Sequence, residues 1–367
     1  ARVSALAEAV ERFSGVFRGD EPRRRATAEE LGEAAVHPNE CMLFSAAQFQ
    51  DRCRWNAEEG HSNWVPEPFD TAREIEWSPV WSLTEECVRY LPTAYGFYDY
   101  HDTLAPGDEE PSCLADSNGC AAGNTTEEAI LQGLLELIER DAAALWWYSR
   151  ARRPPVAAES LVGAYFERLS ELFASLGREL WLLDLTTDFG VPVTVAVSRT
   201  HSRVPDDLLM GFGAHLDARI AVSRALTEIC QFLPVEGGAS RPQRDSTDPV
   251  VSRRWIGAAG DDGFGWLEPD LPGRARDFAS WAAVGSGDLT ECVRWLVAVA
   301  RRLGLEVLVL DQSRPEAPLP VVKVVVPGLR PWWARFAPGR LYDVPVALGW
   351  LEARIEEADL NPSHLFL

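Results

Sequence analysis

The sequence predicts an α+β fold in which mixed or antiparallel sheets pack against helices, and three observations lead to this class. Apolar residues recur with helical periodicity in six segments, near 4–17, 125–149, 158–176, 216–232, 288–303 and 345–357. Strand-like runs separate them, near 91–98, 180–197, 208–212, 305–310 and 321–326. Asp188 and Gly190 interrupt the second run as a hairpin turn would, so an antiparallel or mixed sheet is favoured over a doubly wound one.

The composition describes a chain with enough apolar residues for a large core. Its 367 residues are 46% hydrophobic and 25% charged, which suits one large core or about two to three subdomains. The net charge of −21 argues against nucleic acid and anionic membranes as partners, because phosphate groups would be repelled. The sequence contains no run of about 18 apolar residues, so no membrane-spanning helix is predicted.

The seven cysteines form no C-x2-C pair, and their odd number argues against a disulfide framework or a structural zinc site. A reduced, cytoplasmic setting is therefore expected. No neighbouring base marks Cys113 or Cys120 as an activated nucleophile.

The predicted helix near 4–17 carries a polar residue followed by Glu, Glu and Arg at offsets of four, seven and eight, and the helix near 125–149 repeats this spacing. The residues are Ser4, Glu8, Glu11 and Arg12 in the first helix, and Gln132, Glu136, Glu139 and Arg140 in the second. At about 100° per residue these offsets fall in one stripe of each helix. Each stripe is either a solvated face or, if the two helices line one cavity, a site for Mg²⁺ with a polyphosphate.

Upstream, Asn124 and Glu128 continue the stripe of the second helix, at eight and four residues before Gln132. Glu128 has a competing interpretation, because Thr125 and Glu128 match the T-x-x-E pattern of a capping box at a helix start. Both roles stay open for this residue.

The predicted helix near 216–232 places Arg224, Glu228 and Gln231 on one face. Their spacing is that of either a surface pair between Arg and Glu or a third wall of the same site. His215, before this helix, is expected to be structural. The adjacent tryptophans Trp146-Trp147 and Trp332-Trp333 predict core or a groove wall, and no functional role is assigned to them.

Several segments of this chain resemble sequences of the YcaO family. The similar motifs are S-A-L-A-E-A-V-E-R from Ser4, S-N-G-C-A-A-G-N-T-T-E-E-A-I-L-Q-G-L-L-E-L-I-E-R-D-A from Ser117 and R-A-L-T-E-I-C-Q from Arg224. The sequences D-Q-S-R-P, V-V-K-V-V-V-P-G-L-R and G-R-L-Y-D-V-P-V resemble the C-terminal half of the family. The resemblance implies a YcaO domain over residues 1–367 with the family's ATP-binding fold, in which the repeated acidic helix suggests an internal duplication.

The resemblance is closest to the heterocyclases of cyanobactin and related azoline-forming pathways. It implies that ATP and Mg²⁺ activate a peptide-bond oxygen of a ribosomally made precursor peptide, and that Cys, Ser or Thr residues are cyclodehydrated to azolines. The alternatives are a YcaO enzyme that forms thioamides or amidines, and a non-catalytic protein that binds a precursor or an enzyme. Implied partners are the precursor, an E1-like or leader-binding protein or fused domain, and a second copy in a homodimer.

The resemblance also implies the residues of the site. Those that bind the nucleotide and its metal are Ser4, Glu8, Glu11, Arg12, Asn124, Glu128, Gln132, Glu136, Glu139, Arg140, Glu228, Gln231 and Arg314. The metal ligands among them are Glu8, Glu11, Glu128, Glu136 and Glu139. Because Mg²⁺ takes few carboxylates beside phosphate oxygens, some of these acids are expected to act through water or on a second ion.

The sequence departs from the family at both ends. The Gly- and Lys-rich stretch that precedes the first acidic helix in family members is absent, so the N-terminal part of the domain and any fused peptide-binding domain are expected to lie outside this sequence. The Pro-x-Pro-x-Pro tail of azoline-forming members is reduced to Pro362. The catalytic residues are therefore left open, with Pro362 and Leu367 in the tail as candidates.

Overall fold

A computed structural model describes residues 2–59, 64–100, 112–200, 208–233, 265–270, 275–277, 281, 287–362 and 364–365. The α-helices of these residues are α1 (Arg2–Gly15), α2 (Ala28–Leu31), α3 (Pro38–Met42), α4 (Ala46–Gln50), α5 (Arg52–Glu59), α6 (Thr93–Gly96), α7 (Thr126–Ser149), α8 (Glu159–Ser175), α9 (Ala218–Gln231), α10 (Leu289–Arg302) and α11 (Arg340–Ala347). The strands are β1 (Arg24–Ala26), β2 (Ile75–Ser82), β3 (Cys87–Pro92), β4 (Cys120–Ala122), β5 (Arg178–Asp184), β6 (Val193–Thr200), β7 (Leu209–Ala214), β8 (Leu308–Asp311) and β9 (Val321–Val325).

The chain divides into two compact units. The first comprises Ala1–Arg52, Val65–Leu137 and Gly285–Leu329, and the second comprises Cys53–Trp64, Ile138–Val284 and Arg330–Leu367. Helix α7 contributes residues to both. Within the described part of the chain, no helix combines the length and apolar composition needed to cross a membrane.

The first unit is built on a six-stranded sheet. Its strands run in the order β1-β2-β8-β9-β4, and β3 pairs with β2 as well. All these pairings are antiparallel. The core under the sheet takes Val80, Leu91, Leu308 and Val325 from four different strands, and each such buried side chain contributes about 1.5 to 3 kcal/mol of transfer free energy.

The first half of α7 packs so closely on this sheet that the two backbones are in contact. A Cβ atom on Gly133 of α7 would come within 2.6 Å of the carbonyl oxygen of Gly119. A Cβ on Gly119, whose φ is +74°, would come within 2.1 Å of the carbonyl oxygen of Val324 in β9. The two glycines therefore let α7, the turn before β4 and β9 meet directly, which fixes the face that α7 turns toward β4.

The second unit contains a three-stranded antiparallel sheet in the order β5-β6-β7. The turn between β5 and β6 reverses at Gly190, with φ of +70°, and the predicted hairpin is confirmed. Helix α9 lies directly on β7, because a Cβ on Gly213 would come within 2.1 Å of the carbonyl oxygen of Ala221. Ala225, Leu226 and Ile229 of α9 pack into the core of this unit.

Five of the six predicted long helices are confirmed with ends within two residues. The helix predicted near 345–357 is wrong: α11 ends at Ala347, and turns and bends follow it. The apolar periodicity continues past this point, but Gly349 adopts a φ of +69°, which a right-handed helix does not accommodate.

The strand predicted near 91–98 is also wrong over most of its length. Strand β3 ends at Pro92, and Thr93–Gly96 is helical. Proline has no N–H group with which to extend a β ladder, and its fixed φ suits the start of a helical turn. Strands β1, β2 and β4 were not predicted. Strands β1 and β4 have only three residues each, and β2 carries Pro79 in its middle.

Candidate functional site

The acidic stripe of α1 lies on the surface of the first unit. Glu8 and Arg12 form an ion pair one turn apart, with 3.8 Å between Oε1 and Nη2, and their side chains are 67% and 57% exposed. Glu11 is half-buried. Ser4 belongs to α1, but its side chain lies outside the described residues. The predicted stripe therefore has an outer pair and an inner acid.

Acids from two helices converge on β4. Burial raises the pKa of the Cys120 thiol to about 11, and the carboxylates of Glu11 in α1 and Glu136 in α7 add to the rise. Helix α1 contacts β4, and the carboxylate of Glu136 accepts from the backbone N–H of Gly119 just before that strand. The raised pKa also keeps Cys120 protonated at neutral pH, which agrees with the prediction that it is not an activated nucleophile.

A tight turn before β4 holds Glu136. The N–H of Gly119 donates to Oε2 of Glu136 over 3.0 Å, and the N–H of Val324 donates to the carbonyl oxygen of Gly119 over 2.8 Å. The N–H of Asn118 donates to the side chain of Asp116 over 2.9 Å. Glu136 is thus anchored by a turn that is itself anchored on β9.

Lys323, in the middle of β9, is a site residue that the sequence analysis missed. Its side chain is 1% exposed, and Nζ donates to the backbone oxygen of Asp116 over 2.5 Å and to its carboxylate over 3.2 Å. Burial alone would lower the pKa of Lys323, but Cys120, Asp116 and Glu136 outweigh burial and raise it. The side chain is therefore a buried cation that offsets acidic charge beside Glu136. The available signal was a lysine inside V-V-K-V-V, a strand apolar on both faces.

The start of α7 resolves part of the ambiguity about Glu128. Its N–H donates to Oγ1 of Thr125 over 3.2 Å, as in the predicted cap. Its carboxylate accepts two hydrogen bonds from Asn124, one from the backbone N–H and one from the side-chain amide, both over 2.8 Å. The reciprocal bond of the box thus comes from Asn124 rather than from Thr125. Gln132, one turn further along α7, is half-buried.

Arg314 is 8% exposed and binds the C-terminal end of α1 and the segment that follows it. Its guanidinium donates to the carbonyl oxygens of Ser14 and Val16 and to the carboxylates of Asp20 and Glu21. Burial opposes ionisation of Glu21, but Arg314 and backbone N–H groups outweigh it and lower its pKa. Arg314 therefore fixes the end of the acidic helix, and its contact with a nucleotide stays a prediction.

In the second unit, α7 continues with Glu139 and Arg140, both half-buried. The guanidinium of Arg140 lies 4.2 Å from the centroid of the Trp332 ring. Burial lowers the pKa of Arg224, and Glu139 partly opposes this effect. The ring of Trp332 therefore has a contact with Arg140 that the sequence did not predict.

On α9, Glu228 accepts a hydrogen bond from the backbone N–H of Phe212 in β7. Arg224 donates to the carbonyl oxygen of Ala214 over 3.1 Å. Arg224 and Glu228 therefore each bond β7, and do not form only the surface pair with each other that their spacing allows. Gln231 is exposed. His215 accepts from the N–H of Asp217 over 2.9 Å at the start of α9, and burial lowers its pKa, which fits the predicted structural role.

A buried charge network that the sequence analysis missed follows Arg140 on α7. Asp141 is fully buried and accepts from the N–H of Arg330 and from the guanidinium of Arg340. Arg340 also donates to Asp188 in the β5–β6 turn. Burial lowers the pKa of Arg330 to about 10. The network ties α7, this turn and α11 together inside the second unit.

The tail packs against the C-terminal end of α7. Asn361 donates its backbone N–H to the carbonyl oxygen of Tyr148 over 2.8 Å and its side-chain amide to that of Trp147 over 3.2 Å. These carbonyls belong to the last helical turn, which has no intrahelical partners for them. His364 and Leu365 are buried, and Pro362 is exposed. Leu367 lies outside the described residues.

The donor set fits Mg²⁺ held jointly with a polyphosphate. Among the described residues, no group of three or more His, Cys, Asp or Glu side chains is placed to hold a metal ion by itself. Mg²⁺ is commonly bound by one or two carboxylates, with phosphate oxygens and water completing its octahedron. Glu11 of α1 and Glu136 of α7, which the Gly119 turn holds, would supply carboxylates of this kind.

Comparisons with known proteins agree with this chemistry. A family model described as YcaO cyclodehydratase, ATP- and Mg²⁺-binding, matches residues 1–330. A solved heterocyclase in complex with substrate and cofactor is 45% identical, with a TM-score of 0.89, over 99% of this chain and 48% of that chain. The heterocyclase TruD is 44% identical, with a TM-score of 0.88, over 100% of this chain and 50% of its own.

A third solved structure is that of YcaO from Methanopyrus kandleri bound with AMPPCP and Mg²⁺. It is 28% identical, with a TM-score of 0.59, over 90% of this chain and 75% of that chain. This chain spans about half the length of the two heterocyclase chains that it matches.

Proposed function

The chain belongs to the YcaO family, and we propose that it is a peptide heterocyclase that uses ATP and Mg²⁺. Its substrate would be a ribosomally made precursor peptide whose Cys, Ser or Thr residues become azolines. One observation carries the proposal: the similarity to a heterocyclase solved with substrate and cofactor, at 45% identity, extends over 99% of this chain.

The chemistry requires activation because an amide oxygen is a poor leaving group. In the proposed reaction, a thiol or hydroxyl of the precursor attacks the carbonyl carbon of the preceding residue, and that carbonyl oxygen leaves as phosphate. Bound ATP and Mg²⁺ supply the phosphoryl group. The precursor loses one water per ring, and the protein contributes positioning and charge neutralisation.

We assign the metal to the acids of α1 and α7, acting directly or through water. The proposed ligands are Glu8, Glu11, Glu128, Glu136 and Glu139. The other proposed nucleotide-binding residues are Ser4, Arg12, Asn124, Gln132, Arg140, Glu228, Gln231 and Arg314. The contact of α1 with β4 and the hydrogen bond from Gly119 to Glu136 support this assignment for the inner acids.

The surrounding residues fix the acids before the nucleotide binds. The Gly119 N–H holds Glu136, and Lys323 holds the turn that contains Gly119 through Asp116. Arg314 holds the end of α1. Carboxylates held in this way need little reordering when Mg²⁺-ATP binds, which lowers the cost of binding.

We also propose partner proteins and a cellular compartment for this reaction. A leader-binding or E1-like protein, or a fused domain, would deliver the precursor, and a homodimer is a further expectation. We place the reaction in the cytoplasm, where the free cysteines of the described residues would stay reduced. The tail, including Pro362 and Leu367, remains a candidate for a role in catalysis.

Mass spectrometry of the reaction tests the proposal. The full chain would be incubated with Mg²⁺-ATP, a Cys/Ser/Thr-rich precursor peptide and a candidate E1-like or leader-binding protein. The proposal predicts loss of one water per modified residue, with release of one phosphate per ring. Phosphate release with the precursor mass unchanged would reject it.

The same spectra separate the other two YcaO reactions. Thioamide formation exchanges oxygen for sulfur and raises the mass, provided that sulfide is added. Amidine formation loses one water but consumes a backbone amine, so proteolytic mapping locates the change away from Cys, Ser and Thr. Either result would reject azoline formation and keep ATP-dependent amide activation.

A further inference from the structure

We propose that Trp332 is a positioning residue that holds the guanidinium of Arg140 in its nucleotide-binding orientation. The inference rests on the proposed function, since it assumes that Arg140 contacts the nucleotide. The tryptophan pair to which Trp332 belongs has no other role in that function.

The contact between the two side chains is close. The guanidinium carbon of Arg140 lies 4.2 Å from the centroid of the Trp332 ring, well inside the distance of about 6 Å within which cation–π attraction is effective. Arginine loses less hydration than lysine when it stacks on an aromatic face, so this geometry suits Arg140 in particular. The ring of Trp332 lies against one face of the guanidinium.

Trp332 is held through both its backbone and its ring. The hydroxyl of Tyr148 donates to the backbone oxygen of Trp332 over 2.6 Å. The ring of Phe212 lies 5.8 Å from that of Trp332, tilted by 41°. Tyr148 is on the same helix as Arg140, so the tryptophan is attached to the helix whose arginine it contacts.

Phe212 connects this stack to another proposed nucleotide-binding residue. Its ring contacts Trp332, and its backbone N–H donates to the carboxylate of Glu228 on α9. The Trp332 ring therefore contacts an arginine of α7, and the Phe212 residue packed against it bonds a glutamate of α9 through its backbone N–H, all within the second unit.

Calorimetric titration of the full chain with Mg²⁺-ATP tests the inference. We expect Trp332→Leu to weaken binding about tenfold, which corresponds to a cation–π contribution near the middle of the observed range. Trp332→Phe keeps a ring and should stay within about threefold of the unaltered chain. Trp350→Leu is the matched control, because Trp350 stacks with Arg153 at 3.9 Å in the same unit and neither residue is assigned to the nucleotide.

A double-mutant cycle with Arg140→Ala separates positioning from general destabilisation. If Trp332 acts through Arg140, Trp332→Leu should weaken binding by less than about twofold in the Arg140→Ala background. Losses that multiply in the double variant, or unchanged affinity in Trp332→Leu, would overturn the inference while leaving the proposed function standing. Failure of the unaltered chain to bind Mg²⁺-ATP would reject both.

Should Trp332→Leu fail to fold, fluorinated tryptophans introduced at position 332 alone give the same decision. Fluorine withdraws charge from the ring face and leaves its shape nearly unchanged, so affinity should fall stepwise with each added fluorine. Affinity independent of fluorination would overturn the inference.

Discussion

Single residues decide how the acids of the first unit are held. Glu136 accepts from Gly119, and Lys323 ties the same turn to β9 through Asp116. The buried cation keeps its charge because its anionic neighbours outweigh the effect of burial on its pKa. A cation at this point reduces repulsion between the acids while no Mg²⁺ is bound.

Neutralising the proposed metal ligands should weaken nucleotide binding. Glu136→Gln and Glu139→Gln are each expected to lower the affinity for Mg²⁺-ATP about tenfold or more, because an amide is a weaker ligand for Mg²⁺ than a carboxylate. Calorimetry on the full chain measures this. Glu127→Gln, an exposed acid in the first turn of α7, is the control and should bind normally. Unchanged affinity in both site variants would show that these acids do not hold the metal.

A buried thiol should make the folded state less stable as the pH rises into the alkaline range. Burial raises the pKa of Cys113 from an ordinary 9.0 to about 12. Above pH 9.0 the unfolded thiol loses its proton while the folded one retains it, so the unfolded state binds fewer protons and stability falls as pH rises. The slope for this group is about 1.4 kcal/mol per pH unit up to the folded pKa. Urea unfolding at about pH 8 and about pH 10.5 with a reductant measures it.

The variant Cys113→Ala isolates the contribution of that thiol from those of other alkaline groups. The difference in unfolding free energy between the two pH values should be smaller in the variant than in the unaltered chain. An equal difference in both proteins would mean that Cys113 does not titrate as its burial implies.

Residue spacing predicted the acidic stripes, because offsets of four, seven and eight are a local property of one helix. It could not predict Lys323, Asp141 or Trp332. Their roles come from partners far away in sequence: Lys323 pairs with Cys120 in the sheet register, and Asp141 bonds Arg330 and Arg340. One sequence contains no distances between such segments.

At the scale of elements, α7 organises both sets of site residues. Its 24 residues begin at the cap formed by Thr125 and end at carbonyls that Asn361 caps. Between these ends, Gly133 lets the helix backbone contact the backbone of the turn before β4. The acids are therefore placed by backbone packing as well as by their own hydrogen bonds.

Closing the gap at this contact should disturb both stability and nucleotide binding. Gly119→Ala requires a left-handed φ and pushes a Cβ to 2.1 Å from the carbonyl oxygen of Val324, so a loss of about 2 to 4 kcal/mol in unfolding free energy is expected. Gly177→Ala is the control, since its φ is +69° but nothing lies within 4 Å, and about 1 kcal/mol should be lost. Urea unfolding and Mg²⁺-ATP titration measure both variants.

Displacement of the turn should weaken Mg²⁺-ATP binding in Gly119→Ala, because the N–H of Gly119 would no longer hold Glu136. Gly177→Ala should bind with normal affinity. If Gly119→Ala bound Mg²⁺-ATP as tightly as Gly177→Ala, the turn before β4 would not contribute to nucleotide binding.

Long elements could be predicted from the sequence because each repeats its own period over many residues, as α7 and the β5–β6 hairpin do. The short strands β1 and β4 offer too few residues for a period. Strand β2 breaks the usual rule with Pro79, which is nevertheless paired with Tyr90 in the antiparallel register. Local signals also misplaced α11, because only the backbone conformation of Gly349 distinguishes its end from continued apolar periodicity.

On the scale of the whole molecule, each unit has its own sheet and its own hydrophobic core. A nucleotide that binds the folded chain and not the unfolded one should stabilise it by mass action. At about one hundred times its dissociation constant, Mg²⁺-ATP should add about 2.7 kcal/mol to the unfolding free energy. Thermal unfolding with Mg²⁺-ATP, and with ATP plus EDTA as the control, tests this dependence. An equal rise in both conditions would contradict a role for the metal in binding.

The most direct test of the central claim follows the amide oxygen itself. A precursor peptide carrying ¹⁸O in the carbonyl before one reactive cysteine would be treated with the full chain, the proposed E1-like or leader-binding protein and Mg²⁺-ATP. If ATP activates the peptide bond, the label appears in the released phosphate, one atom per ring formed, and Glu136→Gln loses both products together. Ring formation with the label released into water, or phosphate release without label, would contradict ATP-dependent activation of the peptide bond.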